Sequence, residues 1–526
     1  MLTKKQTMSI TLIILLLLIN SGCMFPEETT FTMLSKAIMD DQGFPSLALH
    51  FKADDIIKAN LIDPDRQVAF TDSFYSSESE ILIQLTSYQN NPRPGVYKFQ
   101  VYDKNDKQIY NETFSFNGIN LTIISFNGYW WKENIEDSKY SLIGITLTVT
   151  NKGDLPAYPY YLEFSIDNKS TSANIIPVVV LPGETRPINC SIYIDNLEDY
   201  EYNCNVSVYD KNGGRLANST FLVIPQENIS VNHFSWDYNG KKEISIPFPS
   251  FLYEYYSKLE RLETNDYAAY VFDPYDELYL TLFIDSFFSI AGDIDEISKI
   301  NFIASFVQNL EYGEDDPLNS LYEYPLYPIE VLSNQTCDCE DRAIFVGNVL
   351  MLMDYNVSLL SLPKHMAIGV HLNENLTDYD FYIDEYYYLE TIDKNLVLGE
   401  VPLLYSKIAE EALIYPLTSR PILNHEWKNA EGLSVDGRLN FVKLKLIVEN
   451  IGNTYAENIS ITGAFYSSND VQYNQEKIKI SYLQPQEKKQ VSLKLNVPKG
   501  VSTIFKTKLY LDEELVEEKQ STTTFT

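Results

Sequence analysis

The chain has 526 residues, too many for one ordinary core, so several domains are expected. Its 73 acidic residues against 40 basic ones give a formal net charge of −33, which disfavours nucleic acid as a partner and describes a soluble, self-repelling surface. A hydrophobic share of 45% places it among folded globular proteins.

Residues 1–23 read as an export signal. Lys4 and Lys5 precede the apolar run Ile10–Ile19, which is short for a membrane span. The run closes on Asn-Ser-Gly-Cys23, small residues before a cysteine as in a lipoprotein cleavage box, with Asn20 atypical where Leu is common. Two anchors follow from this: a lipid on Cys23, or the apolar segment retained uncleaved. Either one exports the chain and leaves it tethered at the outer face of the cytoplasmic membrane. Sequons at Asn111, Asn120, Asn168, Asn205, Asn218, Asn228, Asn356, Asn375 and Asn458 agree with export and glycosylation.

Residues 24–118 alternate apolar and polar side chains between turn residues and predict a β-sandwich. Residues 119–225 predict a second. Its V-x-N-x-G-x-x-x-A pattern at Val149, Asn151, Gly153 and Ala157 recurs at Val448, Asn450, Gly452 and Ala456, so 430–526 predicts a third. A V-Y-D-K-N string occurs at both 101–105 and 208–212, each placed at a hairpin turn. These units resemble the CARDB type of immunoglobulin-like module of secreted prokaryotic proteins. Cys190 and Cys204 are symmetric about Asn196–Glu198. A hairpin there places them on neighbouring strands and predicts a disulfide, which export permits.

The region 226–425 has a different texture. It opens rich in tyrosine. From Asp293–Glu296 it predicts a helix with apolar residues at Ile297, Ile300, Ile303, Phe306, Val307 and Leu310. It then reaches T-C-D-C-E-D-R-A at 336–343, a loop running into an apolar helix, with Cys339 at or just before the first turn. A helix N-terminus lowers a thiol pKa, whereas Glu340 and Asp341 raise it unless they point away. Two strand-like pieces follow, His365–His371 and Tyr382–Glu390. A hairpin centred near Thr377–Asp378 sets His365 directly opposite Glu390 on one face. Thiol, imidazole and carboxylate are the parts of an activated cysteine nucleophile.

The strings C-E-D-R-A, P-K-H-M-A and L-E-T, in that order, resemble the transglutaminase-like superfamily of papain-like thiol enzymes. Its pattern is G-x-C-x-D-x-A, a His before a strand, and an Asp on the next strand. Cys337 stands in the Gly place, which exposes the site to oxidation, and Glu390 in the Asp place. The resemblance implies an α+β papain-like core flanked by all-β immunoglobulin-like sandwiches. It also implies Cys339 as nucleophile, His365 as general base and acid, and Glu390 as the orienting carboxylate. The expected substrate is an amide bond of a protein or peptide, with water or an amine resolving a Cys thioester. The residues do not choose between protease, transferase and a decayed, purely adhesive version of the fold.

The Cys339 N–H is one expected oxyanion donor; Gln308, Tyr312 and Gln335 are candidates for another. No cofactor is expected. There is no C-x-x-C pair, Cys and His are too few for a zinc ribbon, and the acidic stretches 273–277 and 314–316 lack calcium-loop spacing.

Overall fold

The computed structural model describes residues 29–526 apart from 56, 75–77, 133–138, 314–323, 374 and 436–437. The export signal, Cys23 and the acidic stretch 314–316 lie outside the described residues. Among the described residues no helix is long and apolar enough to cross a membrane.

The chain forms two compact units. Of the described residues, one comprises those up to Asp41 with Ser46–Leu85 and Arg93–Asn117; the other holds Gln42–Pro45, Thr86–Pro92 and Gly118–Thr526. In the first, the sheet of Phe31–Asp41, Phe44–Ala53 and Glu78–Gln84 is matched by a second of Val68–Phe74, Ile57–Ile62, Gly95–Asp103 and Gln108–Phe116. Alternate residues of both, among them Leu49, Phe51, Ile83, Leu61, Phe99 and Val101, turn inward to one apolar core.

Two further sandwiches belong to the larger unit. One pairs the sheet Thr185–Glu198, Lys139–Asn151, Leu121–Trp131 with the sheet Lys169–Asn174, Tyr161–Ile166, Tyr202–Tyr209, Arg215–Val223. The other pairs Leu423–Val435, Arg438–Asn450, Lys488–Asn496 with Gln472–Leu483, Ala456–Ser467, Thr503–Leu511, Glu514–Phe525.

The repeated Asn-x-Gly pattern has one physical job in both. Asn151 is wholly buried. Its Nδ2 donates to the carbonyls of Leu155 (2.7 Å) and Val180 (3.0 Å), and its Oδ1 accepts the Gly153 N–H (3.0 Å). Asn450, also wholly buried, donates to Thr454 (2.8 Å) and Leu483 (3.2 Å) and accepts from Gly452 (3.1 Å). Each asparagine thus satisfies backbone groups where a strand leaves its sheet. The D-K-N strings also match: Asp103 accepts from the N–H groups of Asn105 and Lys107, Asp210 from those of Asn212 and Gly214, closing the same side-chain turn in two hairpins.

The expected disulfide is corrected. Cys190 and Cys204 are free, buried thiols on different sheets of one sandwich. Cys190 pairs across from Ile145, and Cys204 from Ile166 and Phe221. Register shifts after Ser191 and Ile194 and a positive φ at Asn196 carry the first strand on to Glu198. The chain then crosses to the other sheet rather than folding back as a hairpin.

The expected α+β papain-like core is corrected as well. Strand accounts for 52% of the chain and helix for 13%, with six helices among the described residues and no papain-like α+β core evident. Three helices are short: Ser250–Tyr256, Ala268–Val271 and Pro328–Asn334. Pro249, Pro274 and Pro328 punctuate tyrosine-rich stretches of modest helix propensity, so the helical pieces stay brief. The longer ones are Glu277–Ala291, Glu296–Gln308 and Cys339–Leu352. The second of these begins where the sequence placed it: Asp295 Oδ1 accepts the Ser298 N–H at 2.8 Å as an N-cap. Beside these helices lies a five-stranded antiparallel sheet, in the order Tyr382–Ile383, Tyr386–Leu389, His365–Val370, Val357–Leu362, Leu413–Pro416.

Candidate active site

Cys339 owes its place to the turn before it. The helix Pro328–Asn334 ends on Gln335 in the left-handed conformation, φ 61°, and Thr336–Cys337 then pairs in parallel with Glu311–Tyr312. Asp338 is the N-cap of the next helix, so Cys339 is its first residue. Asp341 fixes this start: its Oδ2 accepts the Asp338 N–H (3.2 Å) and its Oδ1 the Leu326 N–H (2.7 Å). Every residue from Glu340 to Leu350 is buried, which anchors the helix in the core.

Asp341 therefore points away from the thiol. Glu340 does not. The Cys339 thiol donates to Glu340 Oε2 at 3.2 Å. Burial, then the charge and hydrogen bond of Glu340, then the charge of Asp338 push the thiol pKa well up, opposed by the Met366 N–H. The donor atoms of Asp338, Cys339 and Glu340 lie within 4.8 Å of one another. Cys337 turns into the core, 2% exposed, its pKa pushed up to about 12 by burial.

His365 opens its strand after the tight turn Pro363–Lys364, with Lys364 at φ 63°. The imidazole is buried, and its Nε2 lies 3.2 Å from Glu390 Oε2. The Tyr405 ring stacks on it at 4.1 Å and 2°. Glu390 is wholly buried and saturated. Its Oε1 accepts the N–H groups of Thr391 (2.9 Å) and Ile392 (2.7 Å), and its Oε2 also accepts the Tyr388 hydroxyl (2.9 Å). Burial pushes the Glu390 pKa up, but His365 and these donors outweigh it and hold it below the usual carboxylate range.

The register expected for the hairpin is corrected by two residues. Ile368 pairs with Leu389 and Val370 with Tyr387, so the ladder extended places Glu390 across from Ala367, diagonal to His365. An even slip keeps both side chains on one face, and the diagonal still closes the contact.

Gln308 is excluded as an oxyanion donor. Its Nε2 donates to the Glu390 and Leu396 carbonyls, both at 3.0 Å, and its Oε1 accepts the Asn395 N–H. Tyr312 faces the Arg342 guanidinium, which lies 5.6 Å from its ring centroid. Sequence reasoning missed Tyr388, Tyr405 and the thiol contact of Glu340. Tyr388 was accessible to it, two residues before Glu390 and hence on the same strand face. Tyr405 carries no local signal.

A second histidine constellation lies in the C-terminal sandwich. His425 Nδ1 meets Glu517 Oε2 (2.6 Å), and its Nε2 meets Thr507 Oγ1 (2.7 Å). That hydroxyl also accepts the Trp427 Nε1–H at 2.8 Å and is wholly buried, so this chain ties strands together and offers no nucleophile.

No family model matches the chain, and no curated protein matches it. Among solved structures, a beta-glucuronidase from glycoside hydrolase family 2 aligns over 93% of this chain and 75% of its own, at 9% identity and a TM-score of 0.17. Red sea bream transglutaminase aligns over 72% and 79%, at 11% identity and a TM-score of 0.16. The YadV chaperone aligns over 37% and 99%, at 12% identity and a TM-score of 0.13. Similarity at this level carries no argument about the site; the chain is a multidomain, β-rich protein.

Proposed function

We propose that the chain is a membrane-tethered, extracytoplasmic cysteine enzyme with transglutaminase-like chemistry, acting on amide bonds of proteins or peptides. The observation that carries this reading is the buried His365–Glu390 pair at 3.2 Å, together with the backbone hydrogen bond from Met366, the residue after His365, to the Cys339 thiol. Glu390 occupies Nε2 of the imidazole and leaves Nδ1 as the edge for the thiol proton. The thiol proton passes to His365, and the sulfur attacks the carbonyl carbon. Collapse of the tetrahedral intermediate sends the proton to the leaving amine and leaves a thioester on Cys339. Water or a second amine then attacks the thioester and restores the thiol. The Cys339 N–H at the helix start supports the oxyanion. The apolar leader and Cys23 support export and tethering, and the acidic surface supports a protein or peptide partner over nucleic acid.

A second reading, a non-catalytic surface protein, is favoured by the thiol's resting bond to Glu340. One experiment separates them: labelling of the full chain with a thiol-directed electrophile, mass mapping of the adduct, and comparison with Cys339→Ala and His365→Ala. Labelling at Cys339 that falls at least tenfold without His365 supports the enzyme. Equal labelling with and without His365 sinks it. Amine incorporation against hydrolysis then decides between transferase and protease.

A further inference from the structure

The strongest feature that the proposed mechanism leaves unused is the segment from Val401 to Ala409. Its backbone coils into a helical turn. The N–H groups of Tyr405 and Ser406 both donate to the Pro402 carbonyl (2.9 and 3.1 Å), and those of Ile408 and Ala409 to the Tyr405 carbonyl (both 2.9 Å). The Ser406 hydroxyl donates to the Leu403 carbonyl at 3.0 Å. At helical spacing, one face of such a turn is apolar and inward and the other polar and outward. The inward face obeys this rule: Val401 and Ala409 belong to the small buried core of Leu360, Phe381 and Tyr388, and Tyr405 and Ile408 pack against it. The outward face breaks it. Leu403 is 91% exposed and Leu404 78%, the most exposed large apolar side chains among the described residues. Single leucines on a surface are ordinary, but two adjacent ones on one hydrogen-bonded turn make a contact surface.

The place of this surface gives it a role. Tyr405, whose ring lies parallel to the His365 imidazole at 4.1 Å, directly follows Leu404. The Leu404 Cα is thus one step of about 3.8 Å from that of the stacking residue, and an extended peptide at the imidazole covers such a span with about two or three residues. Charge selects the occupant. The segment 400–411 carries Glu400, Glu410 and Glu411 against Lys407, in a chain of net charge −33. These acids repel an anionic bilayer and a second copy of the same chain. An uncharged peptide segment meets no such repulsion.

We propose that Leu403 and Leu404 are specificity-determining residues that receive an apolar side chain of a peptide substrate, within about three residues of the amide that Cys339 attacks. The inference rests on Cys339 and His365 being nucleophile and base, and it deepens that reading by naming the substrate class: a polypeptide segment with aliphatic residues beside the target amide. Tyr405 joins the two parts, since the turn that presents the leucines also lays its ring on the imidazole.

The test uses the full chain and two neutral heptapeptides, acetyl-Gly-Leu-Leu-Gln-Leu-Leu-Gly-amide and its counterpart with serine in place of every leucine. Each competes with alkylation of Cys339 by iodoacetamide at pH 7, in wild type, in the double variant Leu403→Ser/Leu404→Ser and in His365→Ala. Every rate is taken relative to the same protein without peptide. Half-protection of wild type is expected at a leucine-peptide concentration at least tenfold below that of the serine peptide, a ratio within reach of one or two buried aliphatic groups. The double variant is expected to lose this preference. Equal protection of wild type by the two peptides, which needs no variant, overturns the inference, as does a preference that is alike in wild type and a folded double variant. If alkylation is still strongly slowed in His365→Ala, either result leaves the nucleophile reading standing; alkylation independent of His365 overturns both. Phosphatidylcholine vesicles in place of peptide, and sedimentation velocity, cover the other occupants. Protection by vesicles, or a dimer, that disappears with the leucines while the peptide preference persists overturns the inference in favour of a membrane or a second copy.

Discussion

Replacing Glu390 by Gln tests the imidazole most directly, and the outcome follows from the hydrogen-bond directions. Oε1 of Glu390 accepts two backbone N–H groups, from Thr391 and Ile392. An amide nitrogen placed there would set donor against donor twice, so the Gln oxygen must keep that position. Its NH2 then faces Tyr388 and His365. The Tyr388 hydroxyl can rotate and accept. His365 Nε2, 3.2 Å away, must then become an acceptor, which puts the ring proton on Nδ1. That is the edge the mechanism needs empty to take the thiol proton. The variant therefore keeps the fold and the contact but holds the wrong tautomer, at a cost of about 10²- to 10⁴-fold in kcat/KM, roughly 3–5 kcal/mol. The assay is the rate of Cys339 acylation by an activated ester or peptide at pH 7, with circular dichroism to confirm folding. A folded Glu390→Gln protein acylated within threefold of wild type refutes the argument.

Two further outcomes concern stability. Asn450→Ala strands two carbonyls and the Gly452 N–H in a buried setting, so it is expected to destabilise the C-terminal sandwich by about 2–4 kcal/mol, measured by denaturant unfolding and by faster amide exchange at Gly452. Asp273 has its pKa raised to about 6 by burial, against the bonds from the Tyr256 hydroxyl and the Tyr275 N–H. The folded state then holds the proton longer than the unfolded one, so this group's contribution is fully present below about 3.8 and is lost as pH rises to about 6. Asp273→Asn keeps the acceptor and removes the titration. It should raise stability by about 1–3 kcal/mol at pH 7 and change it little at pH 4, read from thermal unfolding at both pH values.

The parts of the fold that were legible depend on local rules. Strand alternation and the repeated Asn-x-Gly place buried asparagines at the ends of Lys139–Asn151 and Arg438–Asn450, because an amide with two donors and an acceptor is what a departing strand needs there. The parts that failed depend on where a chain goes after a strand. Symmetric spacing of Cys190 and Cys204 says nothing about whether the connection turns back or crosses to the facing sheet, and it crosses. The family motif carried an expectation about a whole architecture that prolines and tyrosines between 249 and 328 do not support; they leave short helices beside a sheet in a chain that is mostly strand.

The contact between His365 and Glu390 depends on the parity of a strand. The hairpin was expected to turn near Thr377–Asp378. The tight turn lies instead at Asp384–Glu385, whose positive φ values of 46° and 72° join Tyr382–Ile383 to Tyr386–Leu389. The longer connection before it lets the outer ladder settle two residues from the expected register. A slip of one would have put Glu390 on the opposite face from His365; a slip of two only converts a direct neighbour into a diagonal one, still 3.2 Å from the imidazole Nε2. The helix start has no such tolerance. Successive residues there point about 100° apart, so spacing alone assigned neither Glu340 nor Asp341 a direction. Their directions separate in the fold: Asp341 accepts the distant Leu326 N–H, and Glu340 accepts the neighbouring thiol.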